Sequence, residues 1–136
     1  MTYEFEVPGK VVGKGRPRLN TYTGIVYTPT KTKDYETLVE QYFLLKYPRF
    51  KMLEGRIKVS IVAYFSIPKN TKKSDINEML DNNISPTKKP DIDNIVKAVL
   101  DSMNKFAFKD DNQITKLEVE KRYSLEDKIY IKIEEY

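Results

Sequence analysis

One stretch constrains this chain more than any other: Lys88 to Ile114, KKPDIDNIVKAVLDSMNKFAFKDDNQI. Ile92, Ile95, Val96, Val99, Leu100 and Met103 recur at spacings of three and four, which sets them along one stripe of an amphipathic helix. Pro90 precedes that helix and marks its start. The same stretch carries five aspartates, Asp91, Asp93, Asp101, Asp110 and Asp111. Lysines stand close by at Lys88, Lys89, Lys97, Lys105 and Lys109. Asp93 and Lys97 are four residues apart, so they project from neighbouring turns of one side.

Each acidic feature has an ordinary structural explanation. Asp91 suits a helix cap, and Asp93 suits the first turn, where it complements the dipole. Asp93 and Lys97 suit an exposed ion pair, and Asp110-Asp111-Asn112 suits a turn. Taken together they suggest chemistry. A D-x-D pair at a helix entrance, a lysine one turn on and a D-D pair past the exit resemble a carboxylate metal site. Hard divalent cations such as Mg²⁺ take oxygen ligands, and a few carboxylates plus phosphate oxygens supply them.

Composition narrows the chemistry further. The chain has no cysteine and no histidine. There is therefore no disulfide framework, no thiolate zinc site and no Ser-His-Asp or Cys-His nucleophile. For hydrolysis near neutral pH, water acidified by a bound cation is then the natural nucleophile. A net charge of +4 permits nucleic-acid binding without proving it. The start of the chain lacks the apolar core of a signal peptide, and no apolar run approaches a bilayer span. A cytoplasmic protein with no membrane partner is expected.

The length of 136 residues suits one domain, residues 1–136. Residues 3–7 read as a strand, and Pro8-Gly9 as a turn. Val11 and Val12 suit a short strand. GKGRPR, residues 13–18, reads as a flexible basic loop, either solvated or touching phosphate through Lys14, Arg16 and Arg18. No Walker-type phosphate loop is present. A hairpin turn is expected at Thr23-Gly24, returning through residues 25–27. Residues 31–47 read as a helix whose Tyr35, Leu38, Val39, Tyr42, Phe43 and Leu45 face the core, ended by Pro48. Residues 56–67 suit a long central strand.

Residues 68–90 read as a polar insertion with a short helix near Ser74–Leu80. Lys69, Lys72, Lys73, Lys88 and Lys89 there are either solvated or bound to a nucleic-acid backbone. Residues 114–123 and 128–134 read as strands joined by a turn at 124–127, giving a C-terminal β-hairpin. The expected fold is α+β: a mixed β-sheet with two main helices packed on one face.

The stretch resembles the RusA family of Holliday-junction resolvases. In that family a K-P-D-x-D-N-x-x-K-x-x-x-D-x-(L/M) core precedes a D-D pair and a strand. This chain supplies Lys89, Pro90, Asp91, Asp93, Asn94, Lys97, Asp101 and Met103, then Asp110-Asp111. Residues 13–18 match a second, weaker family element, G-x-x-R-P-R.

The resemblance implies that Asp91, Asp93 and Asp111 bind Mg²⁺, with Mn²⁺ as a substitute, and that Lys97 is the essential basic residue. Asp110 is the alternative register for the third ligand. Asn94, Asp101 and Asp110 become residues that orient ligands or Lys97. Some members carry an arginine before the first aspartate, where this chain has Pro90 behind Lys88 and Lys89. The implied activity is a metal-dependent endonuclease acting on four-way DNA junctions as a homodimer. Two other readings are a non-catalytic DNA-binding module and a metal-dependent nucleotide phosphohydrolase.

Overall fold

The computed structural model describes all of residues 1–136. Six strands and three helices follow in the order β1 (Thr2–Pro8), β2 (Arg18–Leu19), β3 (Val26–Tyr27), α1 (Thr30–Lys46), β4 (Ile57–Ser66), α2 (Lys73–Leu80), α3 (Ile92–Met103), β5 (Ile114–Ser124) and β6 (Lys128–Glu135). The fold is α+β, as the pattern of elements predicts. Four strands form one mixed sheet in the order β1-β6-β4-β5. β2 and β3 form a separate small hairpin, turned at Thr23-Gly24 with Gly24 at φ 71°. Its Leu19, Tyr22, Ile25 and Val26 are all exposed.

Strand alternation decides which face receives the helices. Ile57, Val59, Ile61, Ala63 and Phe65 of β4 are buried, while the residues between them are only half-buried. Ile129, Ile131 and Ile133 of β6 stand beside them, and Phe5 and Val7 of β1 continue the row. α1 places Tyr35, Val39 and Phe43 on that face, and α3 places Ile95, Val99 and Met103. Phe43 meets the rings of Tyr3, Phe5, Tyr47, Phe50 and Phe106 at centroid separations of 4.7 to 6.3 Å. The helix-1 aromatics are therefore core, not a platform for stacked bases. Leu45 and Ile92 fall outside the stripe, at 76% and 44% exposure.

The C-terminal hairpin does not form. β5 and β6 are antiparallel neighbours in sequence, but β4 lies between them, paired parallel to β5 and antiparallel to β6. Strands two places apart in a sheet are about 10 Å apart, a gap that three extended residues span. The segment 125–127 makes that crossing over the end of β4. Asp127 secures it: its carboxylate accepts the Ser66 backbone N–H at 2.9 Å and the Ser66 hydroxyl at 3.1 Å. The parallel β4–β5 pair has α3 in its crossover, which puts the aspartate-bearing helix directly over the core.

Residues 10–17 form no strand, and Val11 instead drops into the core. The loop that follows is not loose. Gly13 lies against α3, where an added Cβ would stand 2.7 Å from Pro90 Cβ and 3.1 Å from Asn94 Cβ. Gly15 donates its N–H to the buried Thr32 hydroxyl of α1 at 2.9 Å. Glycine here serves close approach, so the loop staples the entrances of α1 and α3 together. Gly13→Ala is accordingly expected to destabilise the fold by about 1–3 kcal/mol, the usual scale of overpacking. Thermal or urea unfolding measures it, and an unchanged midpoint would show that the loop yields freely.

Candidate active site

Asp91 is the N-cap residue of α3, with extended backbone at φ −67° and ψ 150°, yet its side chain makes no capping hydrogen bond. Both carboxylate oxygens remain available. Asp93 lies in the first turn and is exposed, with no ion-pair partner within 4 Å. Lys97 does not turn back to Asp93. Its ammonium lies 3.8 Å from Asp101 Oδ2, one turn the other way. The Asp93–Lys97 ion pair that the spacing allows is absent.

The D-D pair divides its labour. Asp110 caps a short 3-10 turn at Asp111–Gln113, its carboxylate accepting the Asn112 N–H. The Gln113 side chain answers by accepting the N–H groups of Asp110 and Lys109, and donates to the carbonyls of Leu53 and Gly55. The turn is thereby tied to the loop before β4. Asp111 receives no such bond and stays exposed. The adjoining Asp110 carboxylate, able to accept a hydrogen bond from a protonated Asp111, pushes the Asp111 carboxyl above the ordinary value. Slight desolvation and the charges of Asp110 and Asp101 add to the rise, and Lys97 opposes it. Asp111 therefore sits in crowded negative charge that a cation relieves.

Along α3 the chain sets Asp91 and Asp93 at the entrance, Lys97 a turn on and Asp101 a turn further, while Asp111 lies in the 3-10 turn after the helix. Eight helical residues from Asp93 to Asp101 amount to about 12 Å of rise. No three carboxylates stand close enough in this conformation to cage a metal among themselves. The donor chemistry nevertheless fits a hard cation. Mg²⁺ keeps several waters and is held by one or two carboxylates plus substrate phosphate rather than by an all-protein cage.

Beside Asp91 opens a cleft of about 660 Å³. Arg16, Arg18, Lys31 and Lys89 line it, with Asp91 and Asn94 also at its wall. Lys31 is a residue that sequence reasoning missed, since nothing local sets the first turn of α1 beside residue 16. Lys88 turns instead to the sheet: its ammonium lies 5.9 Å from the Phe65 ring centroid, and its carbonyl accepts from Lys121. Lys72 and Lys73 open α2, which leans on β5 outside the cleft.

Lys14 is the basic residue of the loop that the cleft does not leave free. Its N–H donates to the Asn94 carbonyl at 2.8 Å, and its ammonium reaches Glu36 Oε1 at 2.7 Å and Asp101 Oδ2 at 3.0 Å. Only 14% of its side chain is exposed. Burial lowers a lysine pKa, but the hydrogen bonds and charges of Glu36 and Asp101 outweigh this and raise it. Glu36, like Lys31, carries no signal in the sequence.

Asp91 and Asp93 thus stand unengaged at the entrance of one helix, and Asp91 borders an arginine- and lysine-lined cleft. The model of the RusA endodeoxyribonuclease family matches residues 8–134, and the chain belongs to that family. It is thus an endodeoxyribonuclease, a hydrolase of DNA phosphodiester bonds, in a family that acts on branched junctions in recombination. Nucleases of this class generally work with a divalent metal. The chain is also 34% identical to YqaN of Bacillus subtilis (strain 168), described as uncharacterized, over 97% of this chain and 95% of that protein. No helix is long and apolar enough to cross a membrane.

Proposed function

We propose that this protein is a Mg²⁺-dependent resolvase of four-way DNA junctions, acting in the cytoplasm as a homodimer, with Mn²⁺ able to replace Mg²⁺. The observation that carries the reading is the pair of unengaged carboxylates, Asp91 and Asp93, at a helix entrance beside a basic cleft. Asp91, Asp93 and Asp111 would hold the metal. Asp111 is favoured over Asp110 because Asp110 is committed to capping its turn. When bound, the cation supplies charge to stabilise the phosphate and makes the attacking water more acidic.

The chain's own residues do the rest. Arg16, Arg18, Lys31 and Lys89 draw the DNA backbone into the cleft, and Lys72, Lys73 and Lys88 extend the basic surface outside it. Lys97, 64% exposed, neutralises charge that builds on the phosphate. Asp101 holds Lys97, and Asn94 docks the 13–18 loop through its carbonyl. A four-way junction has two-fold symmetry, so two copies present two sites to opposed strands.

The deciding experiment incubates the protein with a labelled synthetic four-way junction, a linear duplex of the same sequence and free nucleotides, with and without Mg²⁺. Paired nicks in the junction alone, only with metal, are expected. Equal cutting of the linear duplex, or cutting without metal, would overturn the reading. A second expectation concerns binding. Arg16→Gln with Arg18→Gln should flatten the slope of log affinity against log salt by about two, because roughly one counterion is released per phosphate contact. A slope equal to wild type would remove the two arginines from the DNA interface.

A further inference from the structure

We infer that Lys14 is a positioning residue: together with Glu36 it fixes Asp101 so that the Lys97 ammonium is held in place with its donors free. The inference rests on the proposed role of Lys97. It goes beyond that role by tying Lys97 to a loop and a helix far away in sequence.

Three features lead there. The first is how firmly Lys14 is held. Its backbone N–H is bonded to Asn94, Gly13 before it is pressed against Pro90 and Asn94, and Gly15 after it is bonded to Thr32. The second is burial: the side chains of Lys14 and Glu36 are only 14% and 16% exposed, and charge-assisted bonds in such surroundings are short and directional. The third is a contrast in distance. One oxygen, Asp101 Oδ2, receives Lys14 at 3.0 Å and Lys97 at 3.8 Å.

At 3.8 Å the Lys97 ammonium feels the carboxylate's charge but makes no hydrogen bond to it. Lys14 takes the bond that Lys97 would otherwise form. Without Lys14, Asp101 turns to Lys97, closes that gap and ties up donors the phosphate needs. Glu36 in turn keeps the Lys14 ammonium from swinging out of the pair. The row Glu36–Lys14–Asp101–Lys97 carries two negative and two positive charges, so its members are matched while its exposed end, Lys97, keeps its hydrogen-bonding capacity.

The test is a double-mutant cycle on single-turnover cleavage of a four-way junction at saturating protein and Mg²⁺. Lys14→Met is expected to slow cleavage by about tenfold to a hundredfold, the usual effect of removing a group that orients an active-site residue. The same change in a Lys97→Ala background should have almost no further effect. The slope of log affinity against log salt should match wild type, because the Lys14 ammonium is already engaged by Glu36 and Asp101. Glu36→Gln, which leaves the Lys14–Asp101 pair in place, runs the same cycle if Lys14→Met does not fold.

An equal loss of rate in both backgrounds would overturn the inference, as would a flattened salt slope, which would make Lys14 a DNA contact. A wild-type rate in the Lys14 and Glu36 variants would also overturn it while leaving Lys97 standing. A wild-type rate in Lys97→Ala by itself would overturn the role of Lys97, and the inference with it.

Discussion

Asp93→Asn, and equally Asp91→Asn, is expected to cut single-turnover cleavage of a four-way junction by at least about 10³-fold while junction binding without metal is retained. An asparagine keeps the size and one oxygen of the side chain but loses the charge that a hard cation requires. A metal supplies several kcal/mol of transition-state stabilisation, and each 1.36 kcal/mol is a factor of ten in rate. Stability should hardly change, because neither carboxylate caps the helix or pairs with a cation. Asp111→Asn should behave the same way, whereas Asp110→Asn should mainly loosen the turn it caps. Near-normal turnover in Asp91→Asn or Asp93→Asn would sink the metal-site reading. A dead Asp110→Asn beside an active Asp111→Asn would reverse the order of the D-D pair.

Lys97→Ala is expected to lower the same rate by roughly 10²-fold, the scale of losing one electrostatic stabiliser. The exposed lysine contributes little to folding, since an i,i+4 pair is worth only about 0.3–0.5 kcal/mol. Rate and stability should thus separate, and a thermal midpoint beside a single-turnover trace reads both. Lys97→Arg probes shape: it preserves charge but replaces a compact ammonium with a broad planar fork, so partial activity at best is expected. Full activity of Lys97→Ala at saturating Mg²⁺ and junction would reduce Lys97 to a surface partner of Asp101.

What could be read in advance followed from local periodicity. The α3 stripe through Ile95, Val99 and Met103 repeats at helical spacing, and the alternation in β4 and β6 repeats at two, so element type and inward face were legible. Pairing was not. Ile129, Ile131 and Ile133 alternate identically whether their neighbour is β5 or β4. What decides it is a long-range matter, the 125–127 crossing with Asp127 locked on Ser66. The partner of Lys97 was hidden for a similar reason. Asp93 and Asp101 are both four residues away, and spacing alone does not distinguish them; the structure pairs Lys97 with Asp101, whose same oxygen also receives Lys14. The 13–18 loop looked flexible because glycine usually signals freedom, whereas Gly13 and Gly15 are there for want of a side chain. The free carboxylates of Asp91 and Asp93 lay where the motif put them, but the cleft beside them drew on Lys31, which only the packing of α1 brings near.

The place of β6 has a consequence for how the chain assembles. β1 touches the rest of the sheet only through β6, and β6 follows every other strand of that sheet in sequence. A nascent chain that has not yet delivered residues 128–135 holds β4, α3 and β5 as one local unit and β1 as an orphan with no ladder to join. Completion of the sheet is then a single late insertion, a strand sliding between two others and zipping hydrogen bonds on both sides at once. Contacts of such long sequence separation slow folding. Until that step the apolar row of β1 and the edge of β4 that β6 pairs with stay open, so the interval before insertion is when this protein is most exposed to aggregation.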